Sequence, residues 1–280
     1  MRGGFTLSYL QSILLGLVQG LTELLPVSSS GHLAIFKRIL GADALTTTLT
    51  MDILLHVGTL VAVFLVYYKD IWELIREFFC MLWDLLRGKP DFKSPYRRFV
   101  LMVIIGSIPA GIVGVLLKDA IGTLPLLCVG LALFVTAVLL WLSDRLPKGK
   151  KTMATASYPS ALFVGLFQGV AILPGISRSG STIVGACTAG YTREFAVKYS
   201  FILSIPAILG AALLDAVDVV QSGTLGIAFG PALAGMAVAA ISGFLAIRWL
   251  LKLVQNSKFH YFSYYCVIAG VLAIILHFGG

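Results

Sequence analysis

Two charged residues lie inside long apolar segments of this chain, where a charge is costly. Glu23 belongs to the segment QGLTELLPVSSSGH, and Arg178 belongs to PGISRSGST. A charge in the hydrocarbon region costs at least about 2.5 kcal/mol, so such residues usually serve a function or pair with one another. Glu23 and Arg178 are therefore the first candidates for chemistry, with a purely structural ion pair as the alternative.

Hydroxyl groups surround Arg178, and a predicted helix begins near Thr182. A guanidinium, Ser and Thr hydroxyls and the free N–H groups of a helix N-terminus are together suited to binding phosphate. The first segment carries a similar run of serines. The sequence predicts a phosphate-binding site that draws on Arg178 and on the hydroxyls of Ser177, Ser179, Thr182, Ser28 and Ser30.

The first segment also contains a candidate metal site and a candidate nucleophile. Gln19 and Glu23 are four residues apart on one helical face, where their oxygens could hold Mg²⁺ or Ca²⁺. His32 follows Ser29 by three residues, as a general base for the serine hydroxyl or as the attacking group itself. A divalent cation, an anion clamp and a nucleophile are the components of phosphoryl transfer to water. The predicted catalytic residues are Ser29, His32, Glu23 and Arg178.

Each of these features also has a structural interpretation. Small residues and serines mediate close helix packing in membranes, so the GLxQG pattern and the serine runs could be packing motifs. His56, inside an apolar run, is interpreted as a packed or interhelical hydrogen-bonding histidine rather than a catalytic one. The four cysteines lack the paired spacing of a zinc site or a disulfide framework and are interpreted as packing residues.

The composition places these residues in a membrane. Apolar residues make up 58% of the 280-residue chain, and only 12% of residues are charged. Soluble domains are about one quarter charged, so this composition is typical of an integral membrane protein. The net charge of +8 comes from basic residues in the short polar connections, where orientation signals and lipid headgroup contacts are expected. Nucleic acid is therefore not an expected partner.

Six apolar runs are long enough to cross a bilayer. They cover residues 53–68, 99–117, 124–142, 199–217, 229–254 and 261–278. Between the first two, residues 71–86 have apolar positions at helical spacing with charges interleaved, which predicts a helix lying in the membrane interface. The predicted fold class is an all-α integral membrane protein with six transmembrane helices.

Two further segments, residues 7–40 and 158–191, are apolar but interrupted by glycine, proline and serine. They are copies of one repeat, since LGLVQGLTELLPVSSSG and VGLFQGVAILPGISRSG share eight of seventeen positions. Three spans follow each copy, so the second copy must enter the membrane inverted, an architecture that places a polar site near the midplane. The sequence predicts two re-entrant helical hairpins within a single membrane domain, 1–280, made of inverted repeats 1–142 and 152–280.

The charge distribution tests this topology. Basic residues concentrate in three connections, at 69–98, 145–151 and 252–258. If both hairpins return to the side from which they enter, all three connections fall on the cytoplasmic face, as expected from the excess of Lys and Arg in cytoplasmic loops. A hairpin that crossed the membrane would split these connections between the two faces. The re-entrant arrangement is therefore favoured.

The residues 19–32 and 174–182 resemble the undecaprenyl-diphosphate phosphatase family of the bacitracin-resistance type. That family has Glu or Gln, three residues and then Glu in its first motif, and Pro-Gly-x-Ser-Arg-Ser-x-x-Thr in its second. The resemblance covers the whole chain and implies hydrolysis of undecaprenyl diphosphate to undecaprenyl phosphate and inorganic phosphate, supporting carrier-lipid recycling for the cell wall and bacitracin resistance. It implies that the substrate is a polyprenyl diphosphate among membrane lipids. It also implies a location in the bacterial plasma membrane, with the site accessible from the outer side. Whether the chain forms a homodimer is left undecided.

The resemblance also implies roles for particular residues. Glu23 with Gln19 would hold the divalent cation, and Arg178 with Ser177 and Thr182 would bind the diphosphate. Ser29 and His32 would perform attack and proton transfer, with the identity of the nucleophile open. Family members often have Glu where this chain has Gln19, a neutral and therefore weaker metal ligand.

Two other protein classes share features with this sequence. Inverted re-entrant repeats are also a transport architecture, so a lipid flippase or transporter remains the main alternative. The other class of membrane lipid phosphatase requires a histidine six residues after its Ser-Arg arginine. Val184 occupies that position here, which excludes this class on its own motif.

Overall fold

The computed structural model describes residues 8–39, 49–89, 91–121, 124–222, 229–255 and 258–279. Within these residues the chain forms ten α-helices and one isolated backbone bridge, between Lys151 and Tyr191. The all-α class is therefore confirmed for this part of the chain. The helices are α1 Tyr9–Leu24, α2 Ser29–Ile39, α3 Leu49–Leu86, α4 Pro95–Ile121, α5 Leu126–Ser143, α6 Tyr158–Val170, α7 Arg178–Thr188, α8 Arg193–Ser222, α9 Phe229–Gln255 and α10 His260–Phe278.

Six of the described helices are long and apolar enough to cross a membrane: α3, α4, α5, α8, α9 and α10. Each overlaps one of the six predicted spans, so the predicted number is confirmed for the described residues. The order along the chain is two short helices followed by three long ones, and this order occurs twice.

The helix predicted at residues 71–86 exists, but it is not a separate element. It continues from the first span within α3, across a kink at Tyr67, whose backbone is non-helical (φ −110°, ψ 25°). Just beyond the kink, Asp70 accepts hydrogen bonds from Lys198 (3.1 Å) and Tyr96 (3.3 Å). Farther along the extension, Arg97 of α4 forms ion pairs with two carboxylates of α3, at 2.7 and 2.8 Å. Tertiary contacts with α4 and α8 therefore hold this extension, which periodicity alone could not indicate.

The four short helices form two pairs, α1 with α2 and α6 with α7. They contain 16, 11, 13 and 11 residues. At about 1.5 Å per residue, the longest is about 24 Å long, less than the ~30 Å hydrocarbon core. Pro26 follows the end of α1, and the preceding Leu25 is extended (ψ 150°), as expected for a residue before proline. Each pair is therefore a helical hairpin with a polar tip.

The described parts of the three basic connections lie at one end of the molecule. The Arg98 guanidinium at the start of α4 donates to the carbonyl of Ala156, just before α6 (2.9 Å). The Asp144 carboxylate at the end of α5 accepts hydrogen bonds from the backbone N–H groups of Phe259 and His260, at the start of α10 (3.1 and 2.9 Å). We call this end the basic end.

The open ends of the two hairpins lie at opposite ends of the molecule. The α6–α7 hairpin begins and ends at the basic end, where Ser160 hydrogen bonds to the Tyr191 hydroxyl (2.9 Å). The α1–α2 hairpin begins and ends at the other end: Tyr9 lies against Gly230 at the start of α9, and Arg38 donates to the carbonyl of Leu276 near the end of α10 (3.4 Å). Their tips consequently meet inside the molecule.

Repeated glycines allow the hairpins to pack closely against long helices. Gly16 of α1 lies against the backbone carbonyl of Gly235 in α9, and Gly165 of α6 lies against that of Gly106 in α4. Gly16 and Gly165 occupy the same position in the two repeat copies. A β-carbon at either position would overlap the facing backbone, so these glycines have the packing role that was the structural alternative for this motif.

We expect Gly16→Ala to lower the free energy of unfolding by about 1–3 kcal/mol, since an added methyl group must push α1 away from α9. The measurement is the midpoint of denaturant unfolding in detergent. Gly111→Ala is the matched control, because a β-carbon there meets nothing within 4 Å. The control should leave stability unchanged or raise it through helix propensity. Equal effects of the two substitutions would contradict the packing role.

Candidate active site

The carboxylate of Glu23 is the centre of the site where the two hairpin tips meet. Glu23 lies in the last turn of α1 and is only 7% exposed. Its Oε1 is 2.6 Å from Nη2 of Arg178, the first residue of α7. The two charges that stand out in the sequence, 155 residues apart, therefore form a buried ion pair between the hairpins.

The second carboxylate oxygen of Glu23 faces three other polar side chains. Oε2 accepts hydrogen bonds from the Ser29 hydroxyl (2.5 Å) and from Nε2 of Gln19 (3.1 Å). Nε2 of His56 lies 3.7 Å from the same oxygen. The predicted nucleophile Ser29 and the predicted metal ligand Gln19 thus share one oxygen of Glu23, while Arg178 occupies the other.

Arg178 has donor capacity beyond its contact with Glu23. Its Nη1 is buried and finds no acceptor in the described part of the chain. A buried guanidinium N–H group left without an acceptor is costly, so this group is suited to a ligand oxygen. A phosphate oxygen is the natural partner for such a group, because Arg–phosphate hydrogen bonds are charge-assisted.

Serines at equivalent repeat positions cap the two tip helices. The Ser28 hydroxyl accepts a hydrogen bond from the backbone N–H of Gly31 (3.3 Å), and the Ser177 hydroxyl accepts one from that of Gly180 (3.1 Å). N-caps of this kind stabilise a helix start by about 1 kcal/mol. Ser28 also has a φ of 70°, an unusual conformation for a residue other than glycine. These hydrogen bonds therefore fix the N-termini of α2 and α7 at the tips.

Several of the predicted phosphate-binding hydroxyls make contacts within the protein. Ser179 donates to the carbonyl of Leu25 on the other tip (3.0 Å), and Thr182 bonds to the carbonyl of Arg178 (2.8 Å) and to Ser200. Ser177, Ser179 and Thr182 are all buried, so they support the loop that carries Arg178. Ser29 is half-buried and Ser30 is exposed, and these are the hydroxyls nearest to the surface of the site.

His32 lies beside the site but does not hydrogen bond to Ser29 in the structure. Its Nδ1 is 2.8 Å from the carbonyl of Ser28, and its Nε2 is 2.8 Å from the Tyr265 hydroxyl, with the two rings stacked 5.3 Å apart. Both ring nitrogens are thus engaged. Tyr265 was not a sequence candidate, because an aromatic residue in the last span carries no local signal that it will meet His32.

The structure also places His56, which was interpreted as a packed or interhelical hydrogen-bonding histidine, next to Glu23. Its Nδ1 is 2.7 Å from the carbonyl of Asp52 in the preceding turn of α3, and its Nε2 is directed toward Glu23. The available signal was a titratable residue inside an apolar span, the same signal that identified Glu23 and Arg178. Without a repeat or motif around it, the sequence did not connect it to them.

Known proteins resemble this chain over almost its whole length. The family model described as "Bacitracin resistance protein BacA" matches residues 12–272. This chain belongs to the BacA family. It is 45% identical to an undecaprenyl-diphosphatase of Methanosphaera stadtmanae over 96% of this chain and 98% of that protein. A protein of the same name from Alkaliphilus metalliredigens is also 45% identical, over 95% and 97% of the two chains. The "undecaprenyl-diphosphatase 3" of Bacillus cereus is 36% identical over 97% and 98%.

In this BacA family member, the side chains around Glu23 include one unpaired oxygen that could bind a metal. Gln19 is fully buried, and its Oε1 has no hydrogen-bond donor among the described residues. An oxygen acceptor left open next to a carboxylate is the kind of ligand that divalent cations prefer. Among the described residues no three His, Cys, Asp or Glu side chains cluster as a metal site.

Proposed function

We propose that this BacA family protein is a membrane-embedded phosphatase that hydrolyses undecaprenyl diphosphate to undecaprenyl phosphate and inorganic phosphate. The observation that carries the proposal is the buried contact between Arg178 and Glu23, with the Ser29 hydroxyl on the same carboxylate. The names of the relatives agree with it. Through this reaction the protein would recycle the carrier lipid for cell-wall synthesis and confer resistance to bacitracin.

Arg178 is proposed to bind the diphosphate. Its unpaired Nη1 supplies a charged donor, and the N-termini of α2 and α7 supply backbone N–H groups and the positive ends of two helix dipoles. The exposed Ser30 hydroxyl adds a further donor. The remaining hydroxyls are proposed to hold the starts of α2 and α7 in place and not to contact the diphosphate themselves. They belong to Ser28, Ser177, Ser179 and Thr182.

Ser29 is proposed as the attacking group. Its hydroxyl is hydrogen bonded to Glu23, which can accept its proton, whereas both nitrogens of His32 have other partners. Attack by the Ser29 oxygen on the terminal phosphorus would break the anhydride bond and release undecaprenyl phosphate. Water would then release inorganic phosphate from the serine. His32, through its contact with Tyr265, is proposed to move protons during these two steps.

Gln19 and Glu23 are proposed to hold a divalent cation, Mg²⁺ or Ca²⁺. The open Oε1 of Gln19 beside the Glu23 carboxylate supports this assignment. When bound, such an ion neutralises charge on the phosphate oxygens. Arg178 contacts the opposite carboxylate oxygen, so the chain can present its guanidinium and the cation-binding oxygens to one diphosphate.

We propose that the two hairpins are re-entrant and that the two halves of the chain are inverted repeats. Helix packing supports this: α1 lies on α9 as α6 lies on α4, and α2 lies on α10 as α7 lies on α5. Exchanging the first five helices with the last five reproduces these four contacts. Non-helical backbone at membrane depth is tolerated when protein surrounds it, as it surrounds both tips here.

The protein is proposed to lie in the plasma membrane with its basic end in the cytoplasm, since positively charged connections favour that side. The α1–α2 hairpin, with Glu23 and Ser29, would then enter from the outside, and the site would open to the outer face. The substrate partner is a polyprenyl diphosphate among membrane lipids. One chain already brings together every proposed site residue, so a second chain is not needed to complete the site. The homodimer therefore stays a prediction.

Phosphate release by the purified protein tests the function directly. With a detergent-solubilised C15 or C55 prenyl diphosphate and a divalent cation, inorganic phosphate should appear, and excess EDTA should suppress it. A protein that only transports lipid would release none. Absence of phosphate with both substrates, from protein that remains folded, would refute the phosphatase.

A further inference from the structure

The ring of His56 is held in an orientation that leaves one nitrogen as an acceptor facing Glu23. Its Nδ1 is 2.7 Å from the carbonyl oxygen of Asp52, which can only accept, so Nδ1 carries the hydrogen. In the neutral ring, Nε2 then has a lone pair. That lone pair faces Oε2 of Glu23 at 3.7 Å.

Two acceptors face each other at this point, and a third belongs to Gln19, whose Nε2 donates to the same oxygen of Glu23 (3.1 Å). The two are Nε2 of His56 and Oε2 of Glu23, and the buried Oε1 of Gln19 has no donor within the described residues. Acceptors cannot hydrogen bond to one another, but one cation can satisfy them all. Two ligands of the same metal, each about 2.1 Å from it, are about 3–3.5 Å apart, close to the separation of His56 and Glu23.

The contact with Asp52 is also the kind that a metal-binding histidine usually makes. Such histidines donate their other ring N–H to a carboxylate or a backbone carbonyl, which fixes the tautomer and the ring orientation. His56 donates to a carbonyl one turn earlier in its own helix, a rigid support. A histidine placed only for packing would not need its second nitrogen directed at the catalytic carboxylate.

We propose that His56 is a third protein ligand of the divalent cation held by Gln19 and Glu23. The inference rests on the proposed function and adds a nitrogen ligand to the oxygen ligands proposed there. Glu23 serves the two charges with different oxygens, Oε1 for Arg178 and Oε2 for the ion.

Pulsed electron paramagnetic resonance of Mn²⁺ bound to the full-length protein in detergent tests the ligand. Coupling to a ¹⁴N nucleus should be present in the wild type and absent in His56→Gln. His277→Gln, which changes a half-buried histidine near the end of α10, is the matched control and should keep the coupling. Mn²⁺ affinity should fall about 10- to 100-fold in His56→Gln alone, since even outer-shell losses cost that much.

Labelling wild-type protein with ¹⁵N-histidine should replace the ¹⁴N signal, a test that needs no variant to fold. A wild type that binds no Mn²⁺, bound Mn²⁺ without nitrogen coupling, or a coupling that persists in His56→Gln would each overturn the proposal. Phosphate release is measured on the same preparations. Release that continues while the nitrogen coupling is absent removes only His56, whereas a wild type that releases no phosphate removes the proposed function.

Discussion

Arg178→Ala is expected to lower kcat/KM for prenyl diphosphate hydrolysis by about 10³-fold or more, the range found when an arginine that stabilises a transferring phosphoryl group is lost. The substitution removes the main counter-charge to the diphosphate. It also leaves the Glu23 carboxylate buried without its 2.6 Å partner. Phosphate release at several substrate concentrations measures the effect.

Two controls separate catalysis from folding in this experiment. Breaking a buried ion pair can cost about 3–5 kcal/mol, so the folded fraction must be measured for each variant by size-exclusion chromatography. Arg193→Ala removes another mostly buried arginine, whose side chain is 12% exposed against 16% for Arg178, and it should keep activity in the folded fraction. Arg178→Lys keeps the charge without the fork and should be intermediate. Arg178→Ala activity within a few-fold of wild type would refute the clamp.

Glu23→Gln should reduce turnover by about 10²–10³-fold, comparable to the loss of a preorganised charge-stabilising group. The neutral amide weakens the contact to Arg178, gives Ser29 a poorer proton acceptor and removes the only formal negative charge from the proposed metal ligands. Excess Mg²⁺ or Ca²⁺ should restore part of the activity, because weaker binding is offset by concentration. Activity is measured as a function of metal concentration.

Glu77→Gln is the matched control for this substitution. Glu77 is also a partly buried carboxylate bonded to an arginine, with Arg97 at 2.7 Å, but it lies on the α3 extension near the basic end. Its substitution should leave the metal dependence unchanged. If wild-type activity were indifferent to both added metal and chelator, the cofactor assignment would be removed, while the clamp formed by Arg178 would stand.

Much of the site was predictable because its elements are local in sequence. Glu23 and Arg178 stood out as charges within apolar segments, and the repeat paired their two segments before any contact was known. The number of spans followed from length and hydropathy. The serine runs lie where the two short helices of each pair join. Which hydroxyl caps a helix and which could meet a ligand was not predictable, because both belong to the same residue type.

Other features depended on residues far apart in the chain. The α3 extension continues its helix because α4 and α8 bind Asp70 and Glu77, and periodicity carries no information on those contacts. Tyr265 and His56 belong to long apolar helices, where one polar residue is consistent with many orientations. Helix rotation decides which way such a side chain faces, and rotation is set by packing against neighbours.

The sequence by itself determined the apolar environment of the six long helices, the two polar tips and the charges that the tips carry. The reason is that hydropathy, glycine and proline breaks and intramembrane charges can each be recognised within a short stretch of chain. Only the tertiary structure decided that Glu23 uses one oxygen for Arg178 and the other for Ser29, Gln19 and His56. That division depends on four helices, α1, α2, α3 and α7, converging to within a few ångströms. Such convergence is a property of packing and not of any single segment.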